Sequence, residues 1–229
     1  MNLKKSRFYD YSVQEIENLS GARKRLLLHA CCGPCSCFPL LFLCPHFDVT
    51  IYYVNPNIYP EPEYKRRLEE LIKLLGYVKR DYGYDVSLVV PPYEPESYQE
   101  HMKPYEGMKE GSARCLECYR YRMERAYQYA EDNDFDYFTT VMTISRQKSS
   151  EALNAIGREL SAKHLKVKYL YSDFKHNKGI DIGRDMRIHY GLYNQLYCGC
   201  RPSLLEAEER QRKSSSDQAA EKENLDNKK

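Results

Sequence analysis

Nine cysteines are spread unevenly over 229 residues. Cys31 and Cys32 are adjacent and run into Gly33-Pro34-Cys35, Cys115 and Cys118 stand three apart, and Cys198 and Cys200 flank a single glycine. Thiolate sulfur is a nucleophile, a redox couple and a soft metal ligand, so such groups admit thiol–disulfide exchange, zinc binding or iron–sulfur chemistry.

Cys32-Gly33-Pro34-Cys35 has the spacing of a thioredoxin-type dithiol, whose first thiol is activated at a helix N-terminus. That reading gives the other two groups no role. A four-cysteine zinc site uses Cys115-x-x-Cys118 well. Adjacent cysteines on a regular strand, however, point to opposite sides, and they share one ion only if the chain turns; Gly33-Pro34 supplies a turn. A four-iron cubane offers separate corners, so it accommodates Cys31 and Cys32 with Cys115 and Cys118 better than one small ion does. Cys115 and Cys118 fall at i and i+3 of a helix start, on one face, where free N–H groups stabilise thiolates. A disulfide across Cys198-Gly199-Cys200 would close a tight ring, and strained disulfides are the readily reduced, catalytic kind. Such a pair could store two electrons beside a cluster that passes them singly; two unrelated buried thiols are the plain alternative. Cys44 fits ordinary burial, and Cys35 and Cys37 stay unassigned.

These groups must be positioned by the elements around them. The run 25–30 reads as a buried strand ending at Cys31-Cys32, and 49–54, 86–90, 137–142 and 167–171 read as further strands. Helical spacing marks 63–75, closed by Gly76, and also 116–131 and 151–164. Strands alternating with helices predict right-handed βαβ units and a mostly parallel sheet. Ligands of open α/β sheets bind beyond the carboxyl ends of the strands, which is where the first strand delivers Cys31 and Cys32. Residues 1–20 read as an N-terminal extension with a short helix at 13–19, residues 21–205 as a single α/β catalytic domain, and 206–229 as a charged, disordered tail.

Composition bounds the function. Hydrophobic residues make up 42% of the chain, enough for a proper core. A formal charge of +2 permits a nucleic-acid partner without announcing one. No secretory signal and no membrane-length apolar run are visible, so the expected location is cytoplasmic. Structural disulfides are rare there, which favours metal ligation or redox catalysis for the clustered cysteines.

Taken in order, LLLHACCGPC, NPNIYPEPEY, RCLECYRYRM, FTTVMTIS, KYLYSDFK and YGLYNQLYCGC resemble the epoxyqueuosine reductases of the QueH type, from about Leu26 to Ser203. The resemblance implies reductive removal of the epoxide oxygen of epoxyqueuosine in tRNA, the last step in making queuosine, a modified guanosine of the anticodon wobble position. It implies a [4Fe–4S] cluster held by Cys31, Cys32, Cys115 and Cys118, and a redox-active pair, Cys198 and Cys200. The implied fold is a Rossmann-like sheet related to nucleotide alpha-hydrolases, with the iron–sulfur site at the strand carboxyl edge. Where ATP-using relatives carry a glycine-rich phosphate loop, this chain has Cys31-Cys32-Gly33-Pro34-Cys35-Ser36, which argues against ATP cleavage. Arg146 stands where the family usually has proline, within Ser145-Arg146-Gln147-Lys148, while Ser145 and Lys148 match.

Epoxide removal consumes two electrons and two protons and releases water, so the site needs an external electron donor and a proton donor for the leaving alkoxide. Asp173 and His29 are the candidates; His29 reads more readily as a satisfied core histidine and Asp173 as a turn cap. A second iron could use Asp173 or Cys35. For the tRNA anticodon stem-loop, Arg114, Arg120, Arg122 and Arg125, together with Lys65, Arg66 and Arg67, are candidate phosphate contacts, Lys148 a candidate substrate contact, and tyrosines candidate stacking partners, the chain having 22 tyrosines and no tryptophan. Two competing functions remain at this stage: a zinc-stabilised RNA-binding protein without catalysis, and a thiol–disulfide oxidoreductase.

Overall fold

The computed structural model describes the backbone of residues 7–226 and side chains as far as residue 214. Five strands form one all-parallel sheet: β1 (Lys24–His29), β2 (Phe47–Tyr52), β3 (Ser87–Val89), β4 (Tyr137–Thr140) and β5 (Lys168–Tyr169). Their order is β3-β2-β1-β4-β5. The chain builds outward from β1 to β3, then crosses back to start β4 on the other side. The carboxyl ends of β1 and β4 therefore diverge, the place where open α/β sheets bind ligands. Leu26 to His29 of β1 are fully buried because β1 lies at the sheet centre, covered on both faces.

Alternate side chains of β1 feed two cores. Leu26 and Leu28 pack in a cluster with α2 (Gly33–Leu43), α3 (Glu61–Tyr82) and α7 (Gly179–His189). Leu27 faces the opposite layer, α5 (Ala113–Asp132) and α6 (Ser150–Ser161). Full burial of each such leucine contributes about 1.5–3 kcal/mol. Two smaller helices complete the body: α1 (Arg7–Glu17), and α4 (Pro95–Met102), which lies near α5. α1 docks by Tyr9 against Phe42 and by Glu15, which pairs with Lys168 at 2.7 Å.

Several expected boundaries shift for identifiable reasons. α3 runs through Gly76 and ends at Gly83, whose φ of 71° is the left-handed cap that glycine supplies. The strand expected at 137–142 stops at Thr140, and a short 3₁₀ turn (Val141–Ile144) follows. α2 is absent from the sequence reading because GPCSCFPLLFL has no polar face and carries Pro39; it forms since it is packed between the sheet, α3 and α7. α4 and α7 were not expected either.

The tail also departs from expectation. Where residues 206–229 read as disordered, α8 (Arg201–Asp226) is helical. Its Glu, Gln, Lys, Arg and Ala content suits a helix, Lys213 pairs with Glu209 at 2.7 Å, and the Glu206 carboxylate accepts the Glu110 N–H at 3.0 Å. Residues 1–6 of the expected extension and 227–229 of the expected tail lie outside the described residues. Among the described residues, no helix is long and apolar enough to cross a membrane.

Candidate metal and redox site

β1 ends at His29 and the chain turns through Ala30 and Cys31 before α2 begins at Gly33. That turn gathers the sulfurs of Cys31, Cys32 and Cys35 within 4.8 Å of one another. Cys31 and Cys32, side by side in sequence, are thereby brought to a sulfur–sulfur distance of 3.9 Å. Asn55, at the end of β2, steadies the turn by donating to the Ala30 carbonyl at 2.8 Å. The strand ends at His29, so strand alternation does not extend to Cys31. Cys31 joins the α2 side, while the His29 ring bonds Thr140 Oγ1 at 2.9 Å and approaches the Val54 carbonyl at 3.3 Å.

The three sulfurs influence one another's acidity. Hydrogen bonds from the Cys32 and Cys35 thiols, aided by the cations of Lys148 and Arg122, hold the Cys31 thiol well below its usual range. Burial and the neighbouring Cys31 push Cys32 up, and the hydrogen bond with Cys31 pushes Cys35 up. Gln195, which the sequence reading passed over, donates its amide to Cys32 Sγ at 3.1 Å and reaches Cys35 Sγ at 3.7 Å.

The second and third cysteine groups meet in one place. Cys115, Cys118, Cys198 and Cys200 line a single small cavity with Asn57, Tyr98, Arg114 and Tyr119. Cys115 and Cys118 sit in the first turns of α5, as their spacing implied. Cys115 Sγ accepts the Gly111 N–H at 3.3 Å. Burial pushes both thiols up, so bare thiolates here need a cation. Cys198 and Cys200 are free thiols, like the other seven cysteines. Cys200 Sγ lies 3.4 Å from Arg114 Nη1 and 3.3 Å from Ser203 Oγ.

The loop carrying Cys198 and Cys200 is clamped from α3. Arg67, only 1% exposed, donates Nη1 to the Cys198 carbonyl and Nη2 to the Tyr197 carbonyl, each at 3.0 Å. Its Nε pairs with Glu63 at 2.7 Å. Gly199 sits between at φ 132°, and a Cβ there would press on the Arg67 Nη1, Ile58 and Asn57 side chains at 3.1–3.3 Å. The Gly199 carbonyl accepts the Tyr59 N–H at 2.7 Å.

Of the eight basic residues expected to face RNA, three, Arg67, Arg114 and Arg122, are buried. Arg122, 2% exposed, donates to the Cys118 carbonyl at 3.2 Å and to Asn55 Oδ1 at 3.4 Å. Burial opposes its charge, but the nearby sulfurs of Cys118, Cys198 and Cys31 raise its pKa. Lys148 is half-buried, and the nearby sulfurs of Cys198 and Cys31 likewise overcome burial to raise its pKa. Arg67 and Arg114 are buried, as described. Arg120 is paired with Glu159 at 2.7 Å, Arg125 with Glu94, and Lys65 with Glu61 at 2.7 Å. Arg66 lies over the Tyr193 ring at 3.5 Å. A surface reading from charge alone misplaced Arg67 and Arg114 because their carbonyl and sulfur partners, on residues 197, 198 and 200, lie far away in sequence.

The proton-donor candidates separate too. Burial, then Arg122, lowers the His29 pKa to about 3, so the ring is neutral. Asp173 accepts from Ser150 Oγ at 2.9 Å and lies 3.5 Å from Lys175 Nζ and from His176 Nε2. Lys175 in turn donates to the Thr143 and Lys148 carbonyls at 2.9 and 3.2 Å. Asp173 is thus built into the scaffold of the loop that presents Lys148. Cys37 and Cys44 are buried thiols pushed up to about 12 by burial, the ordinary packing expected of Cys44.

The donor set suits a soft metal group: three mutually close sulfurs, four more lining one cavity, and the cations of buried Arg122 and half-buried Lys148 within electrostatic reach of Cys31 and Cys198.

The family model for epoxyqueuosine reductase QueH matches residues 26–206. The chain belongs to this family. Relatives named epoxyqueuosine reductase QueH include one from Streptococcus pyogenes, 35% identical over 84% of this chain and 76% of the relative. Another, from Staphylococcus epidermidis, is 36% identical over 79% of this chain and 76% of its own length. A third, from Thermotoga maritima, is 30% identical over 81% of this chain and 93% of its own. The matched region runs from β1 into α8, so it contains every cysteine discussed above.

Proposed function

We propose that this chain is an epoxyqueuosine reductase, an oxidoreductase that removes the epoxide oxygen of epoxyqueuosine in tRNA and leaves queuosine. The observation that carries the reading is a family match spanning the whole sheet, on a chain whose Cys115, Cys118, Cys198 and Cys200 converge on one cavity. The overall change takes two electrons and two protons, breaks both C–O bonds of the epoxide, forms a carbon–carbon double bond and releases water.

In this reading Cys31, Cys32, Cys115 and Cys118 hold a [4Fe–4S] cluster, and Cys35, beside Cys31 and Cys32, is free to help hold a second iron. The cluster when bound supplies single electrons, and the chain's own residues do the rest. Lys148 and Arg122 balance the thiolate charge. Cys198 and Cys200 as dithiol can release two electrons and two protons together, ending as a disulfide that an external donor must reduce. Arg67 holds their loop in place. Lys148 is better placed than His29 to deliver a proton or a positive charge to a developing alkoxide, because it carries its proton and lies among the thiolates. Asp173 acts behind it, through Lys175. The family-typical setting is cytoplasmic, with a Rossmann-like sheet as scaffold.

Thiol–disulfide exchange at Cys32 fits less well: that thiol is buried and pushed up, the reverse of an activated attacking cysteine. The test is anaerobic isolation with iron and sulfide assay and an absorption spectrum, then incubation with epoxyqueuosine-containing tRNA and a reductant. Queuosine in the digested nucleosides is the expected result. A fully loaded cluster with no queuosine formed overturns the activity, and a colourless zinc protein overturns the cofactor.

A further inference from the structure

A cleft of about 350 Å³ opens beside Cys200, between the 56–59 turn, α4 and the start of α8. Asn57 and Arg114 line both this cleft and the cavity of the four cysteines. They are 4% and 6% exposed. Yet Asn57 Oδ1 and Arg114 Nε and Nη2 are, among the described residues, buried polar atoms without a hydrogen-bond partner. Buried polar groups are ordinarily paired, so one open acceptor beside two open donors marks where a ligand supplies the complement. The cleft wall beyond them is aromatic and apolar: Tyr105 packs against Tyr98 and Met102. Tyr59, 39% exposed, stands at the mouth with the Arg201 guanidinium 5.6 Å from its ring centre.

We propose that this cleft receives the unpaired guanine-type base of the substrate, Arg114 donating to its carbonyl and Asn57 Oδ1 accepting from its ring N–H and amino group. The assignment rests on the activity proposed above, which makes the target a modified guanosine. The Watson–Crick edge of guanine offers a carbonyl oxygen whose two lone pairs can accept both open Arg114 N–H groups, beside ring N–H and amino donors that the Asn57 Oδ1 lone pairs can accept. Enzymes that act on a base inside an RNA loop take it out of the stack, then read that edge and clasp the ring between aromatic side chains. Of the four tyrosines lining the cleft, Tyr59 and Tyr105 are the rings assigned to that clasp, and the Arg201 cation beside Tyr59 would meet a backbone phosphate. Because the Tyr59 N–H is bonded to the Gly199 carbonyl, a base seated in the cleft is held in fixed relation to Cys198 and Cys200. Asn57 and Arg114 are thereby specificity-determining residues, and the cleft is the base subsite of the redox site.

The test compares anticodon hairpins differing only at the wobble position, with guanine, O6-methylguanine, adenine or an abasic site, bound to the iron-loaded full chain. Guanine should bind about tenfold or more tightly than each of the others. Asn57→Ser and Arg114→Lys should each narrow that gap, and Tyr105→Ala should weaken guanine binding toward the abasic value. Equal binding of all four hairpins overturns the proposal, and this comparison needs no variant to fold. Discrimination that survives both Asn57→Ser and Arg114→Lys also overturns it. So does iron loss in Arg114→Lys with unchanged discrimination, which would assign those donors to the metal group. Turnover measured on the same preparation separates the two claims: turnover with equal hairpin binding removes the cleft assignment alone, and guanine discrimination without turnover removes the activity alone.

Discussion

Replacing Arg67 with methionine removes the clamp on the Cys198–Cys200 loop while roughly conserving side-chain length. Three bonds disappear, to Glu63 at 2.7 Å and to the Tyr197 and Cys198 carbonyls at 3.0 Å. The Glu63 carboxylate, with its side chain 10% exposed, is left without its cation. Breaking a buried pair on one side costs about 3–5 kcal/mol, most of it the stranded charge. At about 2–4 °C per kcal/mol for a chain of this size, the unfolding midpoint should fall by roughly 6–20 °C. Locally, two carbonyls beside Cys198 lose their donors, so Cys198 and Cys200 should react faster with an aromatic disulfide reagent. Turnover should fall with iron content unchanged, since no proposed cluster ligand lies on this loop. Arg67→Lys keeps the charge without the planar fork and should fall between wild type and methionine. Pairing Arg67→Met with Glu63→Gln should recover part of the stability, because no lone carboxylate remains. Thermal unfolding of the iron-loaded protein under anaerobic conditions, alongside the thiol-reaction rate, measures all of this. A midpoint within about 2 °C of wild type, with unaltered thiol reactivity, refutes the clamp.

Cys198→Ser should retain iron and lose turnover, whereas Cys31→Ser and Cys118→Ser should each lose iron; iron and sulfide assays on the anaerobic proteins distinguish the outcomes, and iron loss in Cys198→Ser would mean the pair is misassigned. Gly33→Ala should destabilise the fold by about 1–3 kcal/mol, because the added carbon would lie 2.8 Å from the Glu70 carbonyl oxygen on the α3 backbone; a wild-type denaturant midpoint would contradict that close approach. Burial opposes the charge of Glu70, but Lys73 and the Tyr193 N–H prevail and lower its pKa. Its stabilisation is therefore complete above the ordinary glutamate range and lost as pH falls through its lowered value. Glu70→Gln should flatten that acid-side loss, read as the difference between unfolding midpoints at neutral and acid pH, and an undiminished slope would exclude Glu70 as its source.

Much of the scaffold was legible because it depends on local periodicity. The five strands and helices α3, α5 and α6 follow from runs of apolar residues at spacings of two or of three and four, and alternation of the two predicts the parallel sheet. What escaped were elements whose reason lies elsewhere in the chain. α2 is helical despite Pro39 because it is packed against the sheet, α3 and α7, and α3 continues through the exposed Gly76 because Leu71, Leu74 and Val78, before and after it in the chain, are buried. In the tail, low hydrophobicity predicted disorder, yet its composition also suits a helix, and the helix is what forms.

For the site, residue type and spacing alone singled out the cysteine groups, put Cys31 and Cys32 at the end of the central strand and put Cys115 and Cys118 on one helix face, because these are consequences of covalent neighbourhood and helical pitch. Only the tertiary structure decided that Cys35 joins the first pair, that Cys198 and Cys200 share a cavity with the second, and that Arg67, Arg114 and Arg122 turn inward to carbonyls and thiolates instead of outward to phosphate. Charge in a sequence has no direction; Arg67 and Arg114 turn inward to partners 130, 131 and 86 residues away, and folding is what brings them together.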